Sequence, residues 1–410
     1  MIDLNLKKML PIIMTAVIFA TTIIIASTKE AQSPAISNVN SNYDISDSTP
    51  DTINSDTEMR GVWITYMELS MENEEDKSEK RFREKFKEIV VNCKNFGFNT
   101  LIVQVRPFCD ALYKSDYFPW SHILTGNQGE NPNYDPLKIM CEICNTYNLE
   151  IHAWINPYRV SLNETPSEFS NDNPYVADNS IAIETKSGII LDPSSEKARK
   201  LIVDGVLEII RNYDIDAIQF DDYFYPTDIE DNDSTQYSNY VELIGESNSM
   251  NIDYWREANV NMLVCEVYKA IHLESDTVKF GISPQGNIDN NKKLYADVKS
   301  WCSCRGFVDY ICPQIYFSLE NPSLTFEDSL KSWTSLEYDD KVDLYVGLAG
   351  YKAGSDKDSG TWLESDEILA QEYDIIKNNE TVKGFMLYSY SSILDDTSQY
   401  EMANLKDKLN

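Results

Sequence analysis

Apolar and polar positions along this chain change period again and again. Short runs with alternating or continuous apolar character, each ending in polar side chains, are followed by longer stretches whose apolar residues recur three and four apart. The first run is RGVWITY, Arg60 to Tyr66. After it Lys80 to Phe96 places Phe82, Phe86, Ile89, Val90 and Cys93 on one helical face. The same exchange continues to the end of the chain. Predicted strands cover Thr100–Pro107, Glu150–Asn156, Ala217–Asp221, Lys279–Ser283, Val308–Ile315, Asp343–Leu348 and Gly384–Ser389. Predicted helices cover Pro136–Tyr147, Ser195–Tyr213, Asp253–His272, about 292–302, Phe326–Leu336 and Asp366–Asn378.

Strict alternation of strands and helices predicts a parallel sheet, and eight such units predict closure into a (β/α)8 TIM barrel rather than an open sheet. No glycine-rich turn follows the first strand, which argues against a dinucleotide-binding sheet. The connections after strands two, three and four are much longer than those leading into strands. A barrel with its site at the strand C-terminal ends has this asymmetry.

The stretch that best shows such an end is DAIQFDDYFYP, Asp216 to Pro226. Side chains alternate along a strand, so Gln219 and Asp221 are expected on one face and Ile218, Phe220 and Asp222 on the other. The polar pair should face a cavity. A solvated strand end capped by aspartates is the plainer alternative.

Outside the barrel, Lys7 and Lys8 precede an uncharged run from Met9 to Ala26, which is expected to be a signal peptide or signal anchor over residues 1–28. Residues 29–58, rich in Ser, Asn, Asp and Thr, read as a flexible linker, and residues 59–410 as the barrel. Both outcomes for the leader place the barrel outside the cytoplasm, secreted or anchored to the cytoplasmic membrane. Contact with the membrane is expected only through that segment.

Charge narrows the partners. With 67 acidic against 35 basic residues the net charge is -32, which opposes binding to nucleic acid or to anionic lipid. A neutral or zwitterionic polymer is compatible. The 25 tyrosines and 7 tryptophans suit stacking on sugar rings, although tyrosine-rich cores have the same composition. The eight cysteines are spread through regular segments and read as small core residues rather than a disulfide framework or a metal site, and no cofactor is implied.

The predicted strand ends collect Gln104 and Arg106 with Asp110, then Asn156, Tyr158 and Arg159, then Asp221, Asp222, Tyr223 and Tyr225. Ser283, Gln285 and Asn287 follow the fifth strand, Gln314 and Tyr316 the sixth, Tyr351 the seventh and Tyr388 the eighth. No GxSxG turn, HExxH pair or phosphate loop is present, and His152, the one histidine on a strand, reads as a buried hydrogen-bonded residue. Hydrolysis through carboxylates is left. A glycosidase needs two, one to protonate the leaving oxygen and one to attack or to activate water. Neighbouring aspartates raise the pKa of one member by like-charge repulsion, which suits a general acid, though a calcium site can use the same pair.

Ten ordered segments carry a family resemblance. They include RGVWIT at 60–65, QVRPFCDALYKS at 104–115, HAWINPYR at 152–159, QFDDYFYP at 219–226, SPQGN at 283–287, DYICPQIYF at 309–317 and GFMLYSY at 384–390. Together they resemble the glycosyl hydrolase-like 10 family over about residues 59–390. The resemblance implies a TIM-barrel glycoside hydrolase of bacterial envelopes, similar to enzymes that cleave peptidoglycan glycan strands stripped of their peptides. It implies catalytic roles for Asp221 and Asp222, with Asp110 as a further candidate. Arg106, Asn156, Arg159, Gln314 and Tyr316 fall in the family's other strand-end motifs, and together with Gln104, Tyr158, Tyr223, Tyr225 and Tyr388, which the reading of the strand ends supplies, they are the expected substrate contacts. Asp221 resembles the strand-four nucleophile of amylase-like barrels. Those barrels carry a glutamic acid after strand five, where this chain has SPQGN, so the general acid falls to Asp222 first and Asp110 second. A non-catalytic carbohydrate-binding barrel at the cell surface, or a hydrolase of another extracellular polysaccharide such as an α-glucan, stays open.

Overall fold

The computed structural model describes residues 58–410. The leader and all but the last residue of the expected linker lie outside the described residues. Among the described residues no helix is long and apolar enough to cross a membrane.

Eight parallel strands close into a barrel: Met59–Ile64, Thr100–Arg106, Glu150–Ile155, Ala217–Phe220, Lys279–Ile282, Tyr310–Ile311, Asp343–Leu348 and Val382–Leu387. Each pairs with its neighbour in sequence, and the last pairs with the first through Met59 and Gly384. The hydrophobic pattern explains why the ring closes. Val62, Ile64, Leu101, Val103, Ile218 and Phe220 point outward into one continuous core shared with the helices. Met59, Ile102, Ala217, Tyr310, Tyr345 and Met386 point inward and fill the barrel axis, where the Tyr310 hydroxyl meets His152 Nδ1 at 3.0 Å. The barrel is therefore a plugged core with room only at its rim.

The helices obey local signals. Helix Glu79–Phe96 starts where the Ser78 hydroxyl accepts from the Arg81 amide, and it buries Phe82, Phe86, Ile89, Val90, Cys93 and Phe96. Helix Pro136–Thr146 starts at Asp135 with proline in its first turn, and helix Glu196–Asn212 at Ser195.

Three expectations need correction. The sixth strand, expected over Val308–Ile315, pairs regularly only at Tyr310 and Ile311, because Pro313 brings no N–H to the ladder; pairing resumes as isolated bridges at Gln314. The helix expected at about 292–302 is a 3-10 segment, Ile288–Leu294, and a separate helix, Val298–Ser303, divided at Tyr295, whose φ is 56°. The long loops also hold structure of their own. An antiparallel hairpin, Ala182–Glu184 with Ile189–Leu191, follows the third strand, and helix Ser234–Ile244 follows the fourth. An eighth outer helix, Gln399–Leu409, closes the ring, and the Leu409 carbonyl accepts from the Arg60 guanidinium at 2.6 Å. All eight cysteines are free thiols.

Candidate active site

The fourth barrel strand behaves as its alternation predicts as far as it remains a strand. Gln219 points into the axis, where its Oε1 accepts from Trp63 Nε1 at 3.2 Å, and Phe220 points outward onto the Phe280 ring. Pairing stops at Phe220. The period-2 rule stops with it, so Asp222 does not go to the helix side; both carboxyls turn into one cavity and are about 95% buried.

Each carboxyl is held by side chains from other strand ends. Asp221 accepts from the Asn156 amide, from Trp154 Nε1 at 3.3 Å and from the Tyr223 backbone N–H at 3.3 Å. Asn156 cannot turn over freely, because its oxygen accepts from Gln104 Nε2 at 2.6 Å while Gln104 Oε1 accepts from the Tyr66 backbone at 3.0 Å. Asp222 accepts from the Gln285 amide and, at 3.1 Å, from Gln314 Nε2, which also donates to the Ser283 carbonyl at 3.0 Å. Gly286 lets Gln285 reach this far: a Cβ there would lie 2.1 Å from the Gln314 carbonyl oxygen. The Gly286 carbonyl is in turn fixed by Trp333 Nε1 at 2.7 Å.

Burial raises the pKa of both aspartates. That of Asp221 is pushed up to about 7, with the Arg159 charge pulling down and the Asp222 charge pushing up. That of Asp222 is raised by burial, opposed by the Gln285 and Gln314 amides. Two carboxyls in one buried site share protons as a unit, so near neutral pH the pair can hold one proton and one charge. This is the equipment for general acid–base work.

The cavity above the pair measures about 500 Å³. Its remaining wall is aromatic and amide: Trp63 and Trp154 below, Gln285 and Gln314 to one side, Tyr316, Tyr351 and Tyr388 beyond. The three tyrosine rings pack with centroids 5.7–5.8 Å apart. Tyr223 is 52% exposed and lies at the mouth, with the Arg159 guanidinium 4.1 Å from its ring centre.

Of the expected site residues, Asp221, Asp222, Tyr223, Gln314, Tyr316 and Tyr388 line this cavity. Asn156, Arg159 and Gln104 stand directly behind them and act through Asp221 and Tyr223. Four others do not reach the cavity. Asp110 is fully buried, accepting from Gln128 Nε2 at 3.0 Å and lying 3.0 Å from His122 Nδ1, so it organises the loop after the second strand. Arg106 would share the inward face with Gln104 in a regular strand, but the register shifts between them and turns it outward. Its guanidinium packs 4.4 Å from the Phe118 ring, beside Gly205, where a Cβ would come within 2.6 Å of it. Tyr158 and Tyr225 are buried in the helix-side core against Phe224 and Tyr295.

Sequence reasoning missed Trp63, Trp154 and Lys352 as cavity residues. The signal for Trp154 was present, since it stands two before Asn156 and thus on the same strand face. Lys352 gave none. It comes from a 3-10 turn after the seventh strand, and its ammonium is bound by Asp358 at 2.9 Å and the Tyr316 carbonyl at 2.8 Å.

A closed parallel barrel with paired carboxyls in an aromatic cavity at its rim has the form of a TIM-barrel glycosidase, and sequence comparison makes the class explicit. The chain belongs to the glycosyl hydrolase-like 10 family, whose model matches residues 58–364. It is 36% identical to glycosyl hydrolase YngK of Bacillus subtilis (strain 168) over 361 residues, covering 83% of this chain and 69% of that protein. It is 29% identical to glycosyl hydrolase DigH of Escherichia coli (strain K12) over 341 residues, 76% of each. Among solved structures, the glycoside hydrolase domain of PgaB (BpsB) from Bordetella bronchiseptica superposes with a TM-score of 0.54 at 10% identity, covering 84% of this chain and 98% of that one. The catalytic domain of beta-amylase from Paenibacillus polymyxa gives 0.54 at 11% identity, covering 86% and 97%. These two likenesses are of fold. The protein is a glycosidase.

Proposed function

We propose that this glycosidase is exported and cleaves the glycan of the bacterial cell wall, peptide-free peptidoglycan strands above all, with Asp221 and Asp222 at the reacting bond. The observation that carries this is the pair itself: two buried carboxyls with raised pKa values facing one aromatic cavity, where a sugar ring can stack and a glycosidic oxygen can be protonated. The charge of -32 favours a polymer without strong negative charge, which glycan strands freed of their peptides approach better than intact wall. The basic and apolar N-terminal segment supports a barrel delivered to that substrate across the cytoplasmic membrane.

Turnover on peptide-free glycan strands by the wild type, Asp221→Asn and Asp222→Asn tests the assignment. Loss of product in both variants with retained glycan binding is expected, and equal product from all three would remove the carboxyls from the mechanism. Cleavage of an α-glucan in place of cell-wall strands would overturn the substrate. Recovery of the full chain in the cytoplasmic fraction of its host would overturn export.

A further inference from the structure

Most glycosidases place two carboxyls on opposite sides of the bond they cut, roughly 5 Å apart when one attacks C1 and roughly 6.5–9.5 Å apart when it activates water. Here both carboxyls belong to consecutive residues at the end of one strand, and among the described residues no other Asp or Glu lines the cavity. In the closed ring the strand opposite the fourth is the eighth, four places away in either direction. The wall facing the aspartates is therefore Tyr388, with Tyr351 beside it.

None of these can supply the missing nucleophile or base. Burial pushes the Tyr351 hydroxyl up to about 12 and those of Tyr388 and Tyr316 higher, so all three stay protonated. Lys352 is neutralised by Asp358, and the Ser283 hydroxyl donates to the Cys312 carbonyl at 2.9 Å.

We propose that the substrate brings its own nucleophile: the site cleaves at C1 of a 2-acetamido-2-deoxy sugar, whose acetamide oxygen attacks C1 while Asp222 protonates the departing oxygen and Asp221 holds the acetamide N–H. Substrate-assisted hydrolysis dispenses with a protein nucleophile on the far face of the sugar, so two carboxyls on one side suffice. The pair's surroundings divide the roles. Asp221 lies over the aromatic floor, bonded to Trp154, with the Trp63 and Trp154 rings 6.0 and 6.5 Å from Tyr388, an apolar recess for the acetyl methyl. Asp222 lies to the side, where Gln285 and Gln314 donate to both its oxygens and stabilise the carboxylate that forms as its proton leaves.

The bonds balance. The acetamide oxygen forms a bond to C1, the C1–O bond breaks with its electron pair on the leaving oxygen, and that oxygen takes the Asp222 proton. The cyclic oxazoline so formed passes its N–H proton to Asp221. Water then attacks C1 and gives a proton to Asp222, the ring reopens, and Asp221 returns the proton to nitrogen. One water is consumed and the anomeric configuration is retained.

The proposal rests on Asp221 and Asp222 being the reacting carboxyls, and it extends that assignment to the substrate class. The full chain is assayed on peptide-free glycan strands, on the same strands with trifluoroacetyl in place of acetyl, on an N-acetylglucosamine homopolymer and on an α-glucan. The electron-poor acyl group should lower kcat by roughly 100-fold or more with little change in KM. Asp222→Asn, but not Asp221→Asn, should regain turnover on an aryl 2-acetamido-glycoside, whose leaving group needs no proton. Equal turnover on both acylated strands would overturn this mechanism and leave the cell-wall substrate standing. Cleavage of the homopolymer alone, with the same acyl dependence, would overturn the cell-wall substrate and support the mechanism. Cleavage of the α-glucan alone, or of nothing, would overturn both.

Discussion

Two pairs of buried acids in this barrel look alike by charge and differ in every other respect. Asp221 and Asp222 sit at the rim of the barrel; Glu372 and Glu401 sit between the two outer helices Ile368–Lys377 and Gln399–Leu409. Burial raises all four pKa values, and that of Glu401 reaches about 7, the same as Asp221. Yet Glu401 caps a helix, accepting from the Ile368 and Leu369 amides at 3.1 and 2.9 Å, and the oxygens of Glu372 meet no hydrogen-bond donor among the described residues. Neither lines the cavity that holds the aspartates. A raised pKa thus marks burial, and only access with side-chain amide donors from three other strand ends marks a place for chemistry.

The largest expected contrast is in turnover. Asp221→Asn and Asp222→Asn should each lower kcat by about 10³-fold or more, whereas Glu372→Gln should leave it unchanged. The same Asp221→Asn should stabilise the fold at pH 8. A folded pKa near 7 against 3.8 means native stability declines as pH rises through that window, by up to about 4 kcal/mol. Urea unfolding at pH 5 and pH 8 measures both effects.

A second contrast lies in the pH profile. Because the proposed role of Asp221 requires its anion, activity should fall as pH drops through about 7. Arg159 holds the Asp221 pKa down, so Arg159→Met should move the acid limb to higher pH and cost most activity at pH 6. A limb that stays in place would detach Arg159 from the pair.

The sealed pair should respond in stability alone. Glu372→Leu removes a buried carboxyl with no donor and should stabilise the fold by about 1–3 kcal/mol at pH 8 and by less at pH 5, where the native state keeps the proton. A small effect on turnover is expected from Asp110→Asn. It should stay within about threefold of wild type while losing about 1 kcal/mol of stability. His122 reports the cause. Burial pulls its pKa down and the Asp110 hydrogen bond and charge pull it above its usual value, so the variant should lower it in an NMR titration.

The barrel itself was legible, because its information is local. Phe82, Phe86, Ile89, Val90 and Cys93 announce one helix face whatever surrounds them, and the alternation of such faces with short apolar runs leaves few topologies. The final helix, Gln399–Leu409, escaped notice because only Met402, Leu405 and Leu409 mark its apolar side. At the site the motif positions were visible and their directions were not. Gln104 and Arg106 have the same spacing as Gln219 and Asp221, yet one pair splits across the strand and the other stays together.

What the chain determined by itself was the closed ring of strands, the end at which it opens, and the presence of two adjacent aspartates there, since period, capping and turn chemistry act over a few residues. Tertiary structure decided which side chains meet. A register shift sent Arg106 to the helices, the end of pairing at Phe220 brought Asp222 around beside Asp221, and Trp63, Trp154, Gln285 and Tyr388 arrived from strands far apart in sequence. Those contacts depend on packing among distant segments, which no local pattern of residues encodes.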